Sequence, residues 1–199
     1  MIEQEYKWQA RTPADFIKFK KALQDTDFRK SLSNILIMDS YFDDAHGTLA
    51  AKKAVLRLRS ANGVYEAVYK TASEIKNGFV KRREETFPIF AKSHTRALSQ
   101  FKGLVRKNWP ALGPVKQLFI IKNKRQVLLL ESPSFSAEVC FDDCNILVGE
   151  KNIKMFEIEM ELKKGDAEQL AELAQSLTKA SGLNYAQVSK VATAFKNLC

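Results

Sequence analysis

Charged residues recur at every second position in six short segments of this 199-residue chain. Glu3, Glu5 and Lys7 come first, followed by Arg57 and Arg59, then Glu66 and Lys70, then Arg82 and Glu84. Glu138 and Asp142 form the fifth set, and Glu157, Glu159, Glu161 and Lys163 the last. Residues two apart on a strand point the same way, so each segment, if extended, presents one charged face. Carboxylates separated by one residue suit hard cations such as Mg²⁺ or Mn²⁺, which take oxygen ligands. Paired arginine and lysine suit phosphate oxygens, arginine through its bidentate fork and lysine as a point charge. Any one of these strands reads equally well as a half-exposed strand with its charges in water. Six of them, with so little Ser, Thr or Gln on the charged side, point instead to faces that converge. Unpaired buried charges cost several kcal/mol each, so such an interior must be wet and hold charged ligands. Both signs together describe a site for a metal-bound polyanion, a phosphate chain being the best chemical match.

The elements that must position these residues are many strands and a few helices. Residues 2–8 alternate as a strand, and Thr12-Pro13 opens a helix running to about Gln24 with Phe16, Phe19 and Leu23 on one face. Residues 35–43 read as a strand, followed by a turn around Asp44–Gly47. Val55–Ser60 and Tyr65–Thr71 form a hairpin about Asn62-Gly63. Phe79–Phe87 is a further strand, and Ser93 caps a helix to Lys107. Lys116–Lys122, Gln126–Glu131, Ser136–Phe141, Asn145–Val148 and Lys154–Lys163 read as strands separated by polar turns. Asp166–Ala180 is an amphipathic helix ended by Gly182, and Ser189–Leu198 a last short helix or turn. The fold class is α+β with an antiparallel sheet or barrel. Helices on the apolar side of a curled sheet put the charged faces inside.

Glu3-Gln4-Glu5-Tyr6-Lys7 resembles the Glu-x-Glu-x-Lys signature of the CYTH family, the triphosphate tunnel metalloenzymes. Asp39–Arg59, Tyr65–Lys70, Arg82–Glu84, Ala137–Asp142, Phe156–Asp166 and Ser189-Lys190 resemble further blocks of that family, in order, over about 190 residues. The closing run Glu157–Lys163 with Gly165-Asp166 looks most like the family's bacterial inorganic triphosphatases. The resemblance implies one domain over 1–199, a closed antiparallel β-barrel tunnel of about eight strands with helices packed outside. It implies metal (Mg²⁺ or Mn²⁺) on Glu3, Glu5, Glu157, Glu159 and Glu161. Phosphate would be held by Lys7, Arg57, Arg59, Lys70 and Arg82. On the strand that supplies a further Lys-x-Arg pair, Lys122 and Lys124 fit the spacing while Arg125 fits the residue type. Lys190 would meet substrate or the attacking water, and Glu84, Glu66, Glu138 and Asp142 would support bases or metal. The implied activity is hydrolysis of inorganic triphosphate or another triphosphate. An adenylate cyclase of the same family and a non-catalytic anion binder stand as alternatives. Thr193 replaces an expected arginine, Ala45 an expected proline, and Cys140 an acid.

The remaining features bound the reading. Lys and Arg number 32 against 23 Asp and Glu, a formal charge of +9. That charge suits anionic partners in general. The tunnel candidates Lys7, Arg57, Arg59, Lys70, Arg82, Lys122, Lys124 and Lys190 are eight positives, against nine negatives at Glu3, Glu5, Glu66, Glu84, Glu138, Asp142, Glu157, Glu159 and Glu161. Such a site becomes a polyanion site only with metal, so no nucleic acid is expected in it. No apolar run reaches the ~20 residues of a membrane span. The first ten residues lack the apolar core of a secretory signal, which leaves the cytoplasm as the expected compartment and a monomer or homodimer as the expected state. Three cysteines and two histidines fit neither a disulfide framework nor a zinc site. Cys140, Cys144 and an exposed Cys199 read as ordinary thiols, with Cys144 in a turn, and His46 and His94 as surface residues. Lys20-Lys21 and Lys52-Lys53 read as solvated, and Trp8 and Trp109 as packed under helices.

Overall fold

In the computed structural model the described residues are 1–24, 26, 28–73 and 75–198, the side chains of residues 29 and 30 excepted. Cys199 therefore lies outside them. Eight antiparallel strands close into a barrel: β1 (Ile2–Ala10), β2 (Arg29–Asp43), β3 (Val55–Ala61), β4 (Val64–Lys70), β5 (Phe79–Ile89), β6 (Lys116–Glu131), β7 (Ser136–Val148) and β8 (Lys151–Lys164). Around the barrel they run β1-β5-β4-β3-β2-β6-β7-β8 and back to β1. The β3–β4 hairpin turns on Asn62 and Gly63, both at positive φ (48° and 85°), which a two-residue turn of this hand requires. Among the described residues five helices accompany the strands: α1 (Pro13–Gln24), α2 (Thr48–Ala51), α3 (His94–Asn108), α4 (Ala167–Ser181) and α5 (Lys190–Phe195).

Alternation along the strands sorts side chains into an outer apolar layer and an inner, mostly charged one. Outside, α1 and α4 cover Trp8, Phe141, Ile158 and Met160. Trp8 is fully buried there, and its Nε1 donates to Thr178 Oγ1 at 2.7 Å. On the opposite side α3 covers Leu56, Leu58, Ala67 and Ile89, with Trp109 against Tyr69 and Phe87. Burying a fully enclosed Leu or Phe contributes about 2 kcal/mol, so these two layers supply most of what holds the wall in place. Ser93 caps α3, and Asp166 forms a capping box with Gln169 at the start of α4.

A third apolar cluster lies inside the barrel. Tyr41, Phe119, Ile121, Cys144, Ile146 and Val148 fill one end of the lumen together with Ala194 of α5, and Val191 and Phe195 pack on them. The last helix is thus a plug. Cys144, expected in a turn, is instead a strand residue with no exposed surface. The same region corrects two strand boundaries. Residues 116–131 form one strand, as do 136–148, where polar stretches suggested turns. Around 122–125 and 142–145 one face meets solvent and the other the wet lumen, so a continuous strand carries polar residues on both sides. Asp43 and Asp44 organise the turn into α2: Asp43 accepts from the amides of Leu49 and Ala50, and Asp44 from those of His46 and Thr48.

Candidate active site

The lumen outside the plug is a cavity of about 790 Å³. It is lined by Glu3, Glu5 and Lys7 of β1, Asp39 and Tyr41 of β2, Arg57 and Arg59 of β3, and Lys70 of β4. Arg82 and Glu84 of β5, Asn123 and Arg125 of β6, Glu138 and Cys140 of β7, and Glu157, Glu159, Glu161 and Lys163 of β8 complete the wall, with Lys190 from α5. Cross-strand register decides which charges meet.

On the side formed by β1 to β5, acids face bases. Glu3 pairs in register with Arg82, Lys70 with Glu84, and Asp39 with Arg59. Arg82 donates to Glu3 at 2.5 Å and to Glu5 at 3.0 Å. Lys70 lies 2.7 Å from Glu3 and 2.5 Å from Glu84. Asp39 accepts two bonds of 2.8 Å from Arg59 and one of 3.2 Å from Arg57. Burial alone raises Glu3 and Asp39, but the neighbouring cations outweigh it and hold each at about 2. Burial, reinforced by Arg57 and Arg82, pushes Lys70 down.

On the side formed by β7, β8 and α5, acids face acids or a thiol. Asp142 pairs in register with Glu157, Cys140 with Glu159, and Glu138 with Glu161. One ligand atom from each of Asp142, Glu157 and Glu159 lies within 4.8 Å of the others, and all three residues are buried. Lys190 Nζ sits among them, 2.5 Å from Asp142, 2.6 Å from Glu157 and 2.9 Å from Glu159. Arg125 forks onto Asp142 at 2.7 and 2.6 Å and reaches Glu159 at 2.6 Å. Lys7 bonds Glu159 and lies 3.1 Å from Glu5. Burial raises Asp142 and Glu159, yet their cations outweigh it and both fall below the usual range. Glu157 goes the other way: burial lifts it to about 7, with Glu159 adding to the rise against the pull of Lys190 and Lys7. Burial also lifts the Cys140 thiol to about 12, so it is no nucleophile at neutral pH.

The expected site residues sort unevenly onto this geometry. Lys7, Arg57, Arg59, Lys70, Arg82, Glu84, Glu138, Glu161 and Lys190 all line the cavity. Glu66 lies at its margin, 4.0 Å from Arg59. Lys122 and Lys124 do not line it: both are exposed on the outer face of β6, and Arg125 and Asn123 take the inner one. The spacing argument chose the wrong parity there because cations occupy both faces. The five glutamates expected on metal are spread along the β1–β8 seam, where Glu5 faces Glu161 in register. Glu3 and Glu5 engage Arg82, Glu161 pairs with Lys163 at 2.9 Å, and the compact acid group is Glu157 and Glu159 with Asp142. Asp39, which clamps both Arg57 and Arg59, was missed. Its signal is an acid between Ile37 and Tyr41 on a shared face.

A charged tunnel through a closed eight-stranded antiparallel barrel, covered outside by helices and plugged at one end, defines the architectural class. The chain belongs to the CYTH domain family, which it matches over residues 1–195. It is 27% identical over 157 residues to the inorganic triphosphatase of Haemophilus influenzae, an alignment covering 79% of this chain and 44% of that protein. The chain thus spans less than half the length of that relative. In fold it is similar to HpAC1 of Hippeastrum, a protein with a dominant triphosphatase activity (TM-score 0.68, 19% identity, 99% and 97% of the two chains). PH1819 of Pyrococcus horikoshii (TM-score 0.64, 17% identity, 98% of each chain) shares the fold as well.

Proposed function

We propose that this chain is a divalent-cation-dependent triphosphatase that hydrolyses inorganic triphosphate in the barrel lumen, with residues 1–199 acting as one domain. One observation carries the reading: a charged cavity of about 790 Å³ that sets a compact acid triad opposite a wall of arginine and lysine. The activity of the Haemophilus influenzae relative supports it. Asp142, Glu157 and Glu159 would fit a hard dication, because their three buried carboxylates converge on one point, now taken by the Lys190 ammonium. A bound Mg²⁺ or Mn²⁺ supplies neutralising charge and polarises a phosphoryl oxygen. The chain's own residues do the rest. Arg57, Arg59, Lys70 and Arg82 bind the phosphate oxygens, releasing the acids they now hold. Lys7 and Arg125 bridge the two walls and fix the chain's path through the lumen. Glu84 positions the Lys70 ammonium. Lys190, at the base of the plug and against the triad, orients the attacking water and balances charge on the terminal phosphoryl group. Water attacks the terminal phosphorus, the bridging P–O bond breaks, the water's proton passes to the departing pyrophosphate or to solvent, and orthophosphate and pyrophosphate leave.

The test is phosphate release from inorganic triphosphate with either metal. Turnover that needs metal and falls sharply in Glu159→Gln supports the proposal. No turnover with either metal, or cyclic AMP as the product from ATP, overturns it.

A further inference from the structure

The surplus positive charge of the chain is confined to one segment. Residues 86–130 contain nine Lys or Arg and no Asp or Glu. Removing those nine from the 32 leaves 23, equal to the 23 acids, so the rest of the chain is neutral. Arg125 alone of the nine faces the lumen. Lys92, Arg96, Lys102, Arg106, Lys107 and Lys116 are exposed, and none makes an ion pair among the described residues.

Most of them stand on α3. Its buried side is Ala97, Phe101 and Val105, packed on the barrel. At 100° per residue the opposite side is Arg96, Ser99, Gly103, Arg106 and Lys107, a ridge about 17 Å long with cations at both ends and small residues between. Acids nearby are already engaged. Glu85 on β5 pairs with Arg83 at 2.7 Å, and Asp43 and Asp44 are taken up by backbone amides of the α2 turn. Phe90, 85% exposed, stands just before the ridge and presents a bare ring.

We propose that the α3 face binds single-stranded nucleic acid, its cations on the phosphate backbone and Phe90 stacking on a base. The acids that would repel a backbone inside the lumen are absent here. A bilayer fits less well, because the outer stripe of α3 carries no large apolar side chain to insert. The surface lies outside the tunnel, so this binding is independent of the proposed hydrolysis.

The test is fluorescence anisotropy of a labelled oligonucleotide of about 20 nucleotides with the intact chain, titrated with salt. Binding of about 10⁻⁶ M at low salt is expected, with a log–log slope of about −4 from five or six phosphate contacts. Arg96→Glu/Arg106→Glu/Lys107→Glu should weaken binding at least about tenfold and flatten the slope. Phe90→Ala should weaken the single strand about tenfold and leave a duplex unchanged. Thermal melts confirm that the variants fold, and the milder Arg96→Gln/Lys107→Gln pair reads the same slope if the triple does not. Inorganic triphosphate should not compete. Absence of binding at low salt, an unchanged triple variant, displacement by triphosphate, or retention only on anionic phospholipid vesicles would each overturn the proposal.

Discussion

The two walls of the lumen are built from the same residue types and behave oppositely. On β1, β3, β4 and β5 the register sets Glu3 against Arg82, Lys70 against Glu84 and Asp39 against Arg59. On β7 and β8 it sets Asp142 against Glu157 and Glu138 against Glu161. Opposite charges across a ladder stabilise by a few tenths of a kcal/mol up to about 1, whereas like charges destabilise. The first wall is therefore self-satisfied, with Glu3 and Asp39 held at about 2. The second sets acids against one another around Lys190, Arg125 and Lys7; Asp142 and Glu159 are held low, and Glu157 is lifted to about 7. A wall whose ion pairs are complete resists added charge. The proposed division, metal on the side of the acid triad and phosphate on the paired side, rests on this contrast.

Substitutions that break the contrast rank by expected effect. Glu159→Ala removes a carboxylate from the acid wall and should lower kcat at least about 10³-fold, from several kcal/mol of lost charge stabilisation. Arg82→Met removes a cation from the paired wall and should lower kcat/KM by about 10- to 100-fold, mostly through KM, as for one charge-assisted bond of about 1.5–3 kcal/mol. Steady-state kinetics on inorganic triphosphate reads both.

Stability effects are smaller and differ in sign between the walls. Glu157 binds its proton more tightly folded than unfolded, so its ionisation costs stability as pH rises from 4.5 towards 7. Glu157→Gln should therefore raise the metal-free Tm near pH 8 by roughly 5 °C, measured by calorimetry. Asp39 shows the reverse. Its depressed value means stability is fully present above pH 3.8 and is lost as pH falls towards 2. Urea unfolding between pH 5 and 2 should show that loss, about 2 kcal/mol, reduced in Asp39→Asn.

Much of this was legible in the chain because a strand's period is two and helices take the apolar side. Glu3, Glu5 and Lys7, or Arg57 and Arg59, could be assigned a common face from spacing alone. Register was not legible, because which residue of β8 faces which of β7 is set by long-range closure of the barrel. Spacing alone could not show that Glu5 faces Glu161, and Lys7 faces Glu159, across the β1–β8 seam. Lys122-Asn123-Lys124-Arg125 failed for a local reason: cations at both parities leave no alternation to read. The plug was hidden as well, since Tyr41, Ile121 and Ile146 look like ordinary core until α5 is seen against them.

The division of labour between the walls is tested most directly by Mn²⁺ binding to the substrate-free chain, followed by electron paramagnetic resonance. Asp142→Asn is expected to weaken Mn²⁺ binding at least about tenfold, the scale on which a lost ligand-shell partner acts, while Glu3→Gln leaves it within about twofold. Equal losses in the two variants, or a loss in Glu3→Gln alone, would contradict the assignment of metal to the acid wall.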